Sequence, residues 1–146
     1  MKIAIASDHA GYELKEKVKK ILSDHDIIDF GPEDSAPVDY PDTGFKAAEA
    51  VATGKCARGI LICGSGIGMS IVANKVRGIR AALCHTKQSA QLARLHNNSN
   101  ILVLSGRFIS ESPAREIIDV WLNTEFEGGR HQQRIDKISN YEKEKY

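Results

Sequence analysis

The sequence predicts an α/β protein: an open, doubly wound, five-stranded parallel sheet of Rossmann-like type, with helices on both faces and a C-terminal helical tail. Three observations carry this. Short runs rich in Ile and Val recur at residues 3–6, 27–30, 60–63, 79–84 and 101–104, each followed by Gly, Ser, Asp or His, and read as strands. The stretches between them have helical spacing, as in Leu14, Val18, Ile21 and Leu22, or Ile117, Ile118, Trp121 and Leu122. Strands joined in succession by helices run parallel through right-handed crossovers, which places helices over both faces.

Taken in order, the chain enters an apolar alternation at once, Met1-Lys2-Ile3-Ala4-Ile5-Ala6, and a helix carrying Leu14 and Val18 follows. After the second strand, Gly31, Pro32, Pro37 and Pro41 suit a long surface loop before a helix over 43–53. The third strand runs into Gly64-Ser65-Gly66-Ile67-Gly68, a tight strand-to-helix turn. A fourth strand over 79–84 leads to a helix ending at His96, and Asn97-Asn98-Ser99-Asn100 precedes the fifth. Gly128-Gly129 is expected to end the last long helix through positive backbone dihedrals, leaving a polar tail with Ile135 and Ile138 as anchors on this or another subunit.

At 146 residues the chain allows a single domain, 1–146, with 127–146 as its tail. Hydrophobic residues at 42% and charged residues at 27% are globular composition and argue against disorder or low complexity. Twenty Lys and Arg against nineteen Asp and Glu supply no basic field, so no nucleic-acid partner is expected. The longest charge-free run, 59–74, is interrupted by glycines and serines and predicts no membrane span. Asp8 and His9 fall where a signal peptide would still be apolar, which reads as cytoplasmic. Cys56, Cys63 and Cys84 are odd in number and fit neither a disulfide framework nor paired zinc ligands, so the thiols are expected to stay reduced.

In open parallel sheets ligands bind beyond the carboxyl ends of the strands. The residues there are Ser7-Asp8-His9, Cys63 to Gly68, His85-Thr86 and Ser105-Gly106-Arg107. Alternating glycines turn backbone N–H groups toward an anion at a helix N-terminus; the bland alternative is a turn chosen for packing. Met69 stands where a dinucleotide fingerprint needs glycine, and Gly68-Met69-Ser70 lacks the lysine of a phosphate loop. Cys63 is placed where the helix terminus stabilises a thiolate, as nucleophile or base, or is a small apolar filler like Cys56 and Cys84. A thiol phosphatase would need arginine where Met69 stands. His96 is either a proton carrier or a C-terminal cap. Arg130 and Arg134, four apart, suit a phosphate clamp or a solvated face.

Ser7-Asp8-His9-Ala10-Gly11, Asp39-Tyr40-Pro41, 59–68, Ala73-Asn74-Lys75, His96-Asn97 and 127–134 together resemble, in order and over nearly the whole length, type B ribose-5-phosphate isomerase of the ribose/galactose isomerase family. The resemblance implies interconversion of ribose 5-phosphate and ribulose 5-phosphate through an enediolate, with no metal or cofactor expected. It implies that Cys63 is the base, that His96 assists ring opening, and that Gly64, Ser65, Gly66, Ile67 and Gly68 hold the oxyanion. One branch of the family uses a glutamate at the position of Ile67, which carries no proton here. Asp8, His9, Tyr40 and Asn97 match sugar contacts, and Arg107, Arg130, His131 and Arg134 match phosphate and substrate contacts. Relatives form homodimers with shared sites, so the tail is expected on the partner, with a dimer of dimers as the larger form. Six-carbon sugar phosphates, allose or galactose 6-phosphate, remain alternative substrates; a thiol phosphatase and a non-catalytic phosphosugar-binding module remain the other classes.

Overall fold

The computed structural model describes residues 1–146. Strands β1 (Lys2–Ser7), β2 (Asp26–Asp29), β3 (Arg58–Cys63), β4 (Ala81–Leu83) and β5 (Ile101–Ser105) form one parallel sheet in the order β2-β1-β3-β5-β4. Helices α1 (Tyr12–Ile21), α2 (Tyr40–Ala52), α3 (Ile67–Asn74), α4 (Lys87–Asn97), α5 (Glu111–Asn123) and α6 (Arg130–Lys145) complete the chain. None of them is long and apolar enough to cross a membrane.

Strand alternation divides the core in two. Ile3 and Ile5 of β1, with Ile60, Ile62, Leu102 and Leu104, are buried under α1, α4 and α5. Ala4 and Ala6 face the opposite way, with Leu61, Cys63 and Val103, under α2 and α3. Both faces are covered, as the apolar runs require. Trp121 of α5 is fully buried, donates from Nε1 to Ser99 Oγ at 2.8 Å, and lies 5.2 Å under the Arg58 guanidinium. These contacts tie α5 to the amino end of β5.

The chain leaves β1 toward β2 on one side and returns with β3 on the other, so the two crossovers diverge at the carboxyl ends of β1 and β3. Ser7 and Ile62 are in register there. A crevice at such a reversal is the position for a ligand.

Three boundaries differ from the expectation. β4 covers only Ala81–Leu83; at its amino end Asn side chains take the amides, Arg80 N–H donating to Asn100 Oδ1 at 2.8 Å and Ala81 N–H to Asn74 Oδ1 at 2.9 Å. α2 starts at Tyr40, with Pro41 in its first turn, where a missing N–H costs nothing. α5 stops at Asn123, and Gly128 (φ 71°) and Gly129 (φ 58°) open α6 rather than close α5. Their positive dihedrals are as expected; the helix they serve is the next one. α6 buries His131 and Ile135 on its own chain, and its far end is held by Gly78 N–H donating to the Glu142 carboxylate at 3.1 Å.

Candidate active site

At the crevice an open cleft of about 480 Å³ is lined by Asp8, His9, Tyr40, Cys63, Gly64, Ser65, Ile67, Gly68 and Arg107, with Ala10 and Ile71. The first nine are residues singled out in the sequence; Ala10 and Ile71 are not, since neither residue type signals chemistry. Gly66 lies behind the wall, and His85 lines no part of it.

Each wall has a local cause. Asp8 directly follows β1 and accepts from Gly11 N–H at 2.9 Å, which turns the chain into α1. Gly11 must lack a side chain, since a Cβ there would sit 2.6 Å from the Ile62 carbonyl oxygen. Thr43 Oγ1 donates to Ser7 O at 2.7 Å and fastens α2, and hence Tyr40, to the end of β1. The Tyr40 ring lies so close over Gly68 that a Cβ would meet it at 2.7 Å, and the Arg107 guanidinium lies against Gly64 in the same way at 3.1 Å. The alternate glycines therefore make room for two substrate-sized side chains as well as for the turn.

Cys63 is 4% exposed, at the last position of β3 and at the floor of the cleft. Its carbonyl accepts from Gly106 N–H at 2.8 Å, and Gly64 O accepts from Ser105 Oγ at 2.6 Å. Within the turn Ile67 N–H donates to Ser65 Oγ at 3.1 Å. The N–H groups of Gly64, Ser65, Gly66 and Gly68 donate to no acceptor in the protein, leaving a row of free donors beside a thiol at a helix N-terminus. Burial pushes the Cys56 and Cys84 thiols up, which keeps both neutral.

His96, Asn97, Arg130, His131 and Arg134 are not in this cleft. A helix following a parallel strand runs back along it, so the C-terminus of α4 lies at the amino edge of the sheet. Arg80, just before β4, donates from Nε to Asn97 O at 2.9 Å there. Here the His96 ring stacks on His131, centroids 4.3 Å apart and planes 13° from parallel, and the Glu127 carboxylate lies 3.9 Å from His96 Nε2 and 3.8 Å from His131 Nε2. Arg130 and Arg134 are exposed one turn apart on α6 and form no ion pair.

The two histidines and Glu127 bring ligand atoms within 4.8 Å of one another. Stacked imidazoles nevertheless aim their in-plane lone pairs in parallel, whereas a tetrahedral ion needs them convergent, with ligand atoms about 3.3 Å apart. The arrangement suits a stacked pair with a counter-ion better than a metal cage.

His131 Nε2 is buried without a hydrogen-bond partner. Burial, then His96 and Arg130, push its proton affinity below the ordinary histidine value of 6.5, while Glu127 opposes them. The unfolded chain therefore binds this proton more readily than the native one, and stability is lost as pH falls below 6.5. Thermal melts across that range will show a falling midpoint, and His131→Phe will remove this component while the carboxylate-driven loss at lower pH stays.

Fold and cleft together define an open α/β protein with its reactive groups beyond the carboxyl edge, a buried thiol beside free main-chain donors. The chain belongs to the Ribose/Galactose Isomerase family, whose pattern matches residues 3–138. A putative sugar phosphate isomerase of Bacillus subtilis, YwlF, is 54% identical over 97% of each chain. The ribose-5-phosphate isomerase B of Clostridium thermocellum superposes with a TM-score of 0.98 at 50% identity, over 100% of both chains. That of Mycoplasma genitalium, solved with bound ribulose 5-phosphate, has a TM-score of 0.93 at 47% identity over 98% of this chain and 97% of that one.

Proposed function

We propose that this chain interconverts ribose 5-phosphate and ribulose 5-phosphate by an enediolate route. The observation that carries the reading is the cleft that joins Cys63, the free N–H row and Arg107 to Asp8, His9 and Tyr40. The Cys63 thiolate takes the C2 proton of the open aldose; the C1–C2 double bond forms and the carbonyl pair moves to O1. That negative oxygen is met by the free N–H donors of Gly64, Ser65, Gly66 and Gly68, helped by the Ser65 hydroxyl. The C2 hydroxyl proton passes to O1, the C2 carbonyl forms, and the Cys63 thiol returns its proton to C1. Thiolate and main-chain donors supply base and electrophile, so the step calls for no metal or cofactor.

His96 serves the preceding step, opening of the furanose ring. Asp8, His9, Tyr40 and Asn97 hold sugar hydroxyls; Arg107, Arg130 and Arg134 hold the phosphate end, with His131 backing the His96 ring. Because His96 and Cys63 lie at opposite edges of one sheet, a single chain does not bring them together. A homodimer that lays the α4 and α6 end of one subunit over the cleft of the other does, and this reading assigns residues 127–146 that role. The ribulose 5-phosphate bound by the Mycoplasma relative supports the substrate class.

The test is an NMR incubation of the purified protein with ribose 5-phosphate in deuterated water. Ribulose 5-phosphate with deuterium at its exchangeable carbon is expected. Release of inorganic phosphate would replace the reading with a phosphatase, and binding without exchange would replace it with a phosphosugar-binding protein. Faster turnover of allose or galactose 6-phosphate would move the substrate to six carbons.

A further inference from the structure

We propose that Glu127 is a positioning residue for His96, holding the His96 ring on its stack and facing its Nε2 with a negative charge. The inference rests on the assignment of His96 to ring opening and adds a residue that assignment does not contain.

Three contacts fix Glu127 at this place. Its backbone N–H donates to Leu95 O at 3.1 Å, so it is bound to the residue beside His96 on the last turn of α4. The chain then bends through Gly128 and Gly129, both with positive φ, and His131 N–H donates to Gly128 O at 3.1 Å as α6 begins. This short hinge sets the two rings face to face, with one carboxylate beside both Nε2 atoms at 3.9 and 3.8 Å. These separations are longer than hydrogen bonds and within the range of a direct ionic contact; such contacts commonly tighten when substrate binds.

The two rings are not equivalent. His131 is buried, and its surroundings, including Arg130 and Arg134, disfavour a charge on it. The His96 side chain is 38% exposed. A neutral His131 provides a flat platform without a second positive charge, so the Glu127 carboxylate serves the solvent-facing ring. In ring opening the anomeric hydroxyl loses its proton as the C1 carbonyl forms, and the C1–ring oxygen bond breaks with its electron pair and a proton going to the ring oxygen. His96 carries that proton from one oxygen to the other, and its transient positive charge develops against Glu127.

Sugar chemistry supplies the separating experiment. Ribose 5-phosphate exists almost wholly as a furanose, whereas ribulose 5-phosphate cannot close one, because its C5 oxygen is esterified. Glu127→Gln keeps the shape and removes the charge. It is expected to lower kcat for ribose 5-phosphate at least about tenfold, while enzyme-catalysed deuterium uptake at C1 of ribulose 5-phosphate continues at the parent rate. Glu127→Asp is expected to recover part of the loss. Equal loss in both assays would mean that the substitution disturbs the whole site, and no loss in either would mean that Glu127 is idle; each overturns the proposal. Parent protein that exchanges no deuterium with either substrate overturns the isomerase reading itself, and this proposal with it.

Discussion

Cys63→Ala will abolish measurable isomerisation while ribose 5-phosphate still binds. A positioned general base contributes about 10²–10⁴ in rate, or about 3–5 kcal/mol of barrier. The loss is expected in kcat, because the phosphate and hydroxyl contacts come from other residues. Binding calorimetry with the variant will give a dissociation constant within a few-fold of the parent, and deuterium exchange with ribulose 5-phosphate will vanish together with turnover. Replacing Cys56 or Cys84 with alanine serves as the contrast. Both thiols are buried in the two halves of the core, neither lines the cleft, and burial holds both neutral. Their loss will cost stability through the small cavity left behind, with turnover unchanged. A Cys63→Ala protein that isomerises normally would remove the base from the mechanism.

The second large effect is expected at Gly66. Its φ of 81° is in the left-handed region, and a side chain there would collide with Leu83 Cδ1 and stand 3.3 Å from the Leu104 carbonyl oxygen. The dihedral alone costs an alanine roughly 1–2 kcal/mol. Gly66→Ala should therefore lower the thermal midpoint by about 3–8 °C. Because Gly66 sets the direction of the turn between Ser65 and Gly68, relief of the collision will move N–H donors off the oxyanion. Loss of one such donor commonly costs about 10²–10³ in rate. Gly54→Ala separates the two effects: Gly54 has a comparable φ of 78°, nothing within 4 Å of a Cβ, and no place in the cleft. It should lose similar stability and no activity. If both variants retained full turnover, the turn would be structural only.

Local chemistry explains how much of this site is visible before folding. A strand's two-residue period and a helix's 3.6-residue period are written in neighbouring side chains, so the five strands and the covering helices can be read along the chain. The cleft residues can be read too, because Cys63 ends a strand, Asp8 and Arg107 come within two residues after one, and a parallel sheet sends all such positions to one edge. Glu127 gives no comparable signal: an acidic residue before two glycines looks like a solvated turn, and only the hinge into α6 brings it beside two histidines. Gly128 and Gly129 illustrate the same limit, since the need for positive φ is local but the helix it serves is not.

The sequence by itself determined the α/β class, the positions of the strands, the glycine turn at the end of β3 and the set of reactive side chains, because each depends on residues close together in the chain. Only the tertiary structure decided that β5 lies between β3 and β4, that His96 stacks on His131 beside Glu127, and that this group stands at the sheet edge opposite Cys63. Those arrangements follow from contacts between residues far apart along the chain, chosen by how whole faces pack, and no local periodicity records them.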